Sequence, residues 1–325
     1  MSVEPIFVFS LPRSGSTLLQ RMLVSHTQVA SVSEPWFLLP MAAMSGEVDL
    51  RVFAEYSHRS ATTAIADLVA NMPGGRDDYR AILRDTALRV YEAVSTPGAR
   101  FFVDKTPRYF LIVDFILELF PQASAILLVR HPLDVLASIV TTWGSDRLWL
   151  HHALLDLYHG PLLLHQAALK YPDRLLRVRY EDLVQDPEVT CRAVCSRFDL
   201  AFEPQMLKAT ATNALKGRMG DKSSNIAREG LVADSIGRWH DVLGTPLRRW
   251  FARRYMRRLG PDVLRTFGVE LCDVEHELAG LPVRWEHTVK DALALAATFV
   301  ATPAALAVSR RLWQTRRGLP IPKLD

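Results

Sequence analysis

The sequence predicts an α/β chain, a parallel sheet flanked by helices, and three observations carry that prediction. Short β-branched runs alternate with long helical patterns, the rhythm of βαβ units. The run Ala125-Ile-Leu-Leu-Val129 is apolar at every position, as a strand covered on both faces must be. A Gly- and Ser-containing turn, Leu11–Thr17, joins the first strand directly to the first helical pattern.

The elements follow in order. Strand Ile6–Ser10 leads through the turn to a helix over Thr17–Ser25, and a second helix is predicted over Tyr79–Val94. Strand Arg100–Val103 precedes a helix over Arg108–Phe120, and strand Ala125–Val129 precedes a helix over Pro132–Thr142, with Pro132 suited to a first helical turn. A helix over His151–Lys170 leads to strand Leu175–Arg179. We expect an α/β domain with helical insertions over 1–270 and a helical extension over 271–325.

Composition narrows the function. With 325 residues and 49% apolar content, the chain can bury a large core. The balance of 39 Lys+Arg against 35 Asp+Glu gives a formal +4, which suits an anionic ligand but not a nucleic-acid binder. Cys191, Cys195 and Cys272 are too few and too uneven for a disulfide framework and are read as reduced thiols. The chain enters its first strand without a leader pattern, so a cytoplasmic protein is expected. His151-His152 does not suit a metal, because adjacent helical residues point in different directions, and no metal site is expected.

In the turn Pro12-Arg13-Ser14-Gly15-Ser16-Thr17, backbone N–H groups and a helix N-terminus share one concavity, an arrangement that attracts phosphate. Gly15 lets the backbone come close, Ser16 and Thr17 add hydroxyls, and Arg13 adds a fork of donors. Read alone, the same turn also fits an N-capped βα connection. It is not a Gly-x4-Gly-Lys-Ser/Thr loop, and strand Ala125–Val129 ends in Arg130 where a magnesium-dependent nucleotide enzyme wants an acid. A P-loop-type nucleotide or small-molecule kinase is therefore the second reading. Arg130 at the strand's carboxyl end and Ser138 on the next helix form a second candidate clamp for one phosphate.

Together these motifs resemble the PAPS-dependent sulfotransferases, closest to the bacterial small-molecule and tyrosylprotein-like branch. The resemblance spans roughly residues 5–245 and implies a P-loop-like parallel sheet, the sulfotransferase fold. Pro12–Thr17 resembles the 5′-phosphosulfate loop, and Arg130…Ser138 the 3′-phosphate motif. Glu34, in Ser33-Glu-Pro-Trp36, stands where the tyrosylprotein branch places a catalytic Glu, and Lys105, in Asp104-Lys-Thr-Pro107, where it places a catalytic Lys. Tyr180 resembles a Tyr near the adenine. Lys222, Ser223 and Ser224 resemble a Lys-Ser-Thr segment over the phosphosulfate, and Arg238 with Trp239 match a following basic residue and Trp. The His of the cytosolic branch is missing, since Pro107 stands in its place.

The resemblance implies metal-independent, in-line transfer from PAPS to an acceptor hydroxyl, with adenosine 3′,5′-bisphosphate as product. Glu34 is the expected general base, with Asp104 as runner-up. Lys105, Arg13 and the Ser14–Thr17 amides would stabilise the leaving phosphate, and Ser223 would bind sulfuryl oxygens. The acceptor stays open among small molecules, carbohydrates, lipids and carrier-bound hydroxyls. Trp36, Phe37, Trp143, Trp149 and Trp239 are read either as acceptor lining or as core.

Ala292–Val308 is uncharged, about 25 Å long as a helix, and interrupted by Pro303. It reads as a helix packed on the domain or on a second copy in a homodimer, or as a peripheral membrane contact aided by Arg310, Arg311, Arg316 and Arg317.

Overall fold

The alternation of strands and helices folds into three layers. The computed structural model describes residues 3–44, 64–208 and 235–298. The first half of the chain runs β1 (Glu4–Ser10), α1 (Ser16–Val24), β2 (Val29–Ser31), α2 (Leu38–Met44), α3 (Gly75–Val94), β3 (Phe101–Asp104), α4 (Val113–Leu119), β4 (Ala125–Val129) and α5 (Pro132–Thr142). It continues through α6 (Gly160–Lys170), β5 (Leu175–Arg179), α7 (Tyr180–Gln185), α8 (Pro187–Arg197), α9 (Trp239–Val242), α10 (Pro246–Leu259), α11 (Pro261–Thr266) and α12 (Leu271–Gly280). Residues 288–298 form a further helix.

The five strands are parallel in the order β2-β3-β1-β4-β5, so β1 sits at the centre. From β1 the chain first crosses to β2 and β3, then passes to β4 on the other side. This reversal opens a crevice at the carboxyl edge, beside the end of β1, where ligands bind in open α/β sheets.

The two-residue strand period sorts the core onto two faces. Phe7, Phe9, Phe102, Leu127 and Val129 pack under α3, α4 and α6, with Tyr91 of α3 stacked on Phe102 at 4.6 Å between ring centroids. Ile6, Val8, Val103, Ile126 and Leu128 pack on the other face against Leu19, Met22 and Leu23 of α1 and Cys191, Val194 and Cys195 of α8. Each such fully buried aliphatic side chain contributes roughly 1.5–3 kcal/mol. The thiols of Cys191 and Cys195 belong to this packing, and burial pushes Cys191 up to about 12.

Three expectations change. β2 is an unpredicted strand, three residues long and too short to show alternation. The helix expected over Arg108–Phe120 is a 3₁₀ turn, Tyr109–Leu111, followed by α4. The one expected from His151 begins as turns and a π-helical turn, Leu155–His159, before α6. Pro161 has no N–H to donate to the carbonyl four residues back, and there the wide turn gives way to α6.

Helix α12 and residues 288–298 pack onto the same core as the sheet helices, through Val274, Leu278 and Leu295. Asp291 is wholly buried in an ion pair with Arg248 of α10 (2.7 Å) and accepts the Leu148 N–H (3.0 Å). Thr298 Oγ1 accepts from the Leu150 N–H (3.1 Å). Among the described residues no helix is long and apolar enough to cross a membrane.

Candidate active site

All five strands point their carboxyl ends at one rim, and the predicted side chains follow from those ends. The loop after β1 turns twice through left-handed backbone, at Arg13 (φ 68°) and Gly15 (φ 85°), and so gathers its N–H groups around the start of α1. A Cβ on Gly15 would lie 2.2 Å from Cδ2 of Tyr180. The glycine therefore serves the packing of the Tyr180 ring against the loop, a requirement beyond the backbone approach expected from sequence.

The two predicted phosphate clamps meet. Arg13 Nε donates to Ser138 Oγ at 3.0 Å, joining the β1 loop to α5 across 125 residues. Arg130, at the end of β4, donates to the Arg13 carbonyl (2.9 Å) and the Ser235 carbonyl (2.6 Å). Its guanidinium lies 4.4 Å from the Tyr180 ring centroid, a cation–π contact, and the Tyr180 hydroxyl is 2.5 Å from Ser235 Oγ. Ser14 Oγ and Arg130 Nε are buried and have no hydrogen-bond partner among the described residues.

The helix that carries Ser138 is fixed at its start. Burial, together with the charges of His240 and Arg130, lowers His131 to about 4, so its ring stays neutral near pH 7. The neutral Nδ1 accepts the Leu133 N–H at 3.2 Å and caps α5. Asp134 accepts the N–H groups of Gly237 (2.9 Å) and Trp239 (3.1 Å), tethering the segment that bears Arg238. Arg238 itself is exposed, and Trp239 is core, stacked on His131. Lys222, Ser223 and Ser224 lie outside the described residues.

A second cluster stands at the ends of β2 and β3. Lys105 Nζ lies 2.6 Å from Glu34 Oε1 and 3.4 Å from Thr17 Oγ1 on the first turn of α1. Lys105 is 1% exposed and Glu34 9%, so water screens their ion pair weakly. Trp36 Nε1 donates to the other Glu34 oxygen at 3.1 Å. Trp36 holds a left-handed backbone (φ 61°), costly for a bulky residue, and its N–H donates to Thr106 Oγ1 at 3.2 Å. Gln20, wholly buried in α1, donates to the Val32 and Ser33 carbonyls (2.7 and 3.2 Å) and fixes the chain leading to Glu34. Sequence reasoning missed Gln20 and Thr106; a buried amide in a helical pattern gives no period of its own.

Asp104, the runner-up base, is the last residue of β3 and is wholly buried. Its Oδ2 accepts from the hydroxyls of Tyr91 (2.7 Å) and Tyr109 (3.0 Å). Burial pushes it up to about 7, against the pull of the two tyrosine hydrogen bonds and Lys105. It stands behind Lys105, on the core side.

The first 200 or so residues match the model of a known family, the sulfotransferase family, over residues 5–204. The nodulation protein NoeE of Sinorhizobium fredii (strain NBRC 101917 / NGR234) is 35% identical over 222 residues, covering 61% of this chain and 50% of that protein. A protein-tyrosine sulfotransferase of Drosophila melanogaster is 24% identical over 207 residues, covering 62% of this chain and 39% of that one. The chain thus spans half or less of the length of these curated relatives. Among solved structures, the sulfotransferase domain from the curacin biosynthetic pathway shares the fold, with a TM-score of 0.50 and 23% identity, over 82% of this chain and 98% of that domain. With the family model matched across the whole sheet and its rim, the chain belongs to the sulfotransferase family.

Proposed function

We propose that this chain transfers the sulfuryl group of PAPS to an acceptor hydroxyl, without a metal, and that residues 1–270 carry the reaction. The observation that carries this reading is the position of Lys105, which touches both Thr17 of the anion loop and the carboxylate of Glu34. One cation thereby links the donor side of the rim to the proton-accepting side.

The residues present fit a donor phosphorylated at both ends of its ribose. The β1 loop (Arg13, Ser14, Gly15, Ser16, Thr17) suits the 5′-phosphosulfate, and Arg130 with Ser138 the 3′-phosphate. The buried Ser14 Oγ and Arg130 Nε, which have no hydrogen-bond partner among the described residues, are the donors such a ligand would satisfy. Tyr180 is assigned to the adenine side, and Lys222, Ser223, Ser224 and Arg238 to the phosphosulfate on resemblance alone.

In the proposed step the Glu34 carboxylate takes the acceptor proton as the acceptor oxygen forms its bond to sulfur. The bond from sulfur to the bridging 5′-phosphate oxygen breaks in line, and adenosine 3′,5′-bisphosphate leaves. Charge grows on that bridging oxygen, which Lys105 and the loop donors would stabilise. Asp104, held by two tyrosines, is a positioning residue for Lys105 in this scheme. The partner is a hydroxylated small molecule, carbohydrate, lipid or carrier-bound acceptor. Three free thiols suit a reducing compartment, and we place the protein in the cytoplasm.

The test is a screen of hydroxylated acceptors with sulfur-labelled PAPS in the presence of chelator, beside the same screen with labelled ATP and magnesium. Label transfer from PAPS is the expected result. Transfer only from ATP with magnesium would instead establish a kinase.

A further inference from the structure

The helix Pro246–Leu259 has the sequence PLRRWFARRYMRRL, and its inward face is closed by Phe251, Ala252, Tyr255, Met256 and Leu259. Its outward face is almost entirely arginine. Arg249, Arg253, Arg254, Arg257 and Arg258 line a solvent-facing cleft of about 750 Å³. Arg257 pairs with Glu275, but among the described residues no carboxylate lies within ion-pair distance of Arg253 or Arg254. So dense a run of like charge on one helix face opposes folding unless an anion meets it.

The same cleft is also apolar. Trp250 and Val283 line it between the arginines, both more than half exposed. The segment leading on from Val283 is held to the start of this helix, because Arg284 N–H donates to the Gly244 carbonyl (3.2 Å) and Arg249 to the Leu281 carbonyl. Trp285 then stands 73% exposed and Val289 74% exposed. The helix over 288–298 turns Asp291 and Leu295 inward, with Asp291 tied to Arg248 of the arginine helix, and leaves Val289 and Leu293 outward at a four-residue spacing. The arginine cleft thus holds Trp250 and Val283 within it, and the neighbouring segment adds the exposed Trp285, Val289 and Leu293.

We propose that this face docks on an anionic phospholipid bilayer, lying on its surface. Arg253 and Arg254 meet lipid phosphates, while Trp250, Trp285, Val289 and Leu293 enter the zone between headgroups and acyl chains. A bilayer surface supplies both phases at one depth, and tryptophan favours that boundary. Nucleic acid supplies phosphates but no aliphatic phase for Val289 and Leu293. Among the described residues no helix is long and apolar enough to span, which fits a surface contact. The inference is independent of the donor assignment, because it uses none of the residues at the sheet rim.

The test is sedimentation of the full chain with vesicles of phosphatidylcholine alone and of phosphatidylcholine with phosphatidylserine. The chain is expected to pellet with the anionic vesicles, less so as salt is raised. Arg253→Glu with Arg254→Glu should weaken partition about tenfold or more. Trp285→Ser with Val289→Ser should weaken it severalfold even at high salt; neither variant should melt below wild type, because Trp285 and Val289 face solvent and the two glutamates relieve like-charge repulsion on the helix. Equal binding to both vesicle types, or partition unchanged in either variant, would overturn the proposal. So would a chain that ignores vesicles yet binds nucleic acid or dimerises through this face.

Discussion

Lys105 Nζ lies 2.6 Å from Glu34 Oε1, although 71 residues separate them in sequence. The contact exists because β2 and β3 are neighbours, with Ser31 level with Val103, so the chains leaving both strands emerge side by side. Removing either partner leaves the other charge buried, so the two substitutions must be read together.

Glu34→Gln keeps the Trp36 hydrogen bond and the side-chain volume but deletes the base. Turnover with PAPS should fall about 10²-fold or more, while bisphosphate affinity stays near wild type. Lys105→Met should lower turnover by a similar factor. A Glu34→Gln enzyme of wild-type rate would remove Glu34 from the chemistry. Steady-state rates and calorimetric titration on the same preparations supply the comparison.

Gly15 is expected to tolerate no side chain. Its φ of 85° strains any L-residue by about 1–2 kcal/mol, and the new methyl would collide with the Tyr180 ring. Gly15→Ala should therefore lower the melting temperature by several degrees and weaken bisphosphate binding. Tyr180→Ala in the same chain relieves the collision but not the φ strain, so it should restore part of the loss. Purely additive melting shifts in the double variant would show that the ring is not the obstacle.

Asp104 sets a pH dependence with a definite sign. Its folded-state carboxyl titrates near 7 against 3.8 in the unfolded chain, so between those values the folded protein binds the extra proton. Its contribution to stability is then greatest at low pH and is lost as pH rises through that window. Asp104→Asn keeps an oxygen to accept from both tyrosines and does not titrate. Denaturant unfolding between about pH 4 and 8 should show the Asn variant gaining on wild type until about pH 7, then holding level. A difference that stays flat, or that shrinks as pH rises, contradicts the assignment.

Much of this arrangement was legible in the sequence because it is local. β4 and β5 match their expected limits residue for residue, and α5 begins at Pro132 as its proline requires. The loop after β1 stands out by residue type, and its junction with Arg130 and Ser138 follows from strand ends sharing one rim. The rest depends on tertiary neighbours. β2 is too short to show a period, and without it Glu34 cannot be brought to Lys105. Tyr91 looks like any aromatic on the apolar face of a helix; only the packing of α3 over β3 turns its hydroxyl onto Asp104. The direction of the Trp36 indole, folded back on Glu34, rests on a left-handed backbone angle that no sequence period reports.

In the proposed reaction the donor is held by the paired clamp of Arg13–Thr17 with Arg130 and Ser138. The most direct test is calorimetric titration with adenosine 3′,5′-bisphosphate and, separately, adenosine 5′-monophosphate, both in chelator. The bisphosphate should bind one site markedly more tightly. Arg130→Ala and Ser138→Ala should each weaken the bisphosphate, by about 10- to 100-fold for the arginine, and weaken the monophosphate less. Equal affinity for the two nucleotides, or binding that requires magnesium, would contradict the assignment of Arg13–Thr17 and Arg130/Ser138 to a single doubly phosphorylated donor.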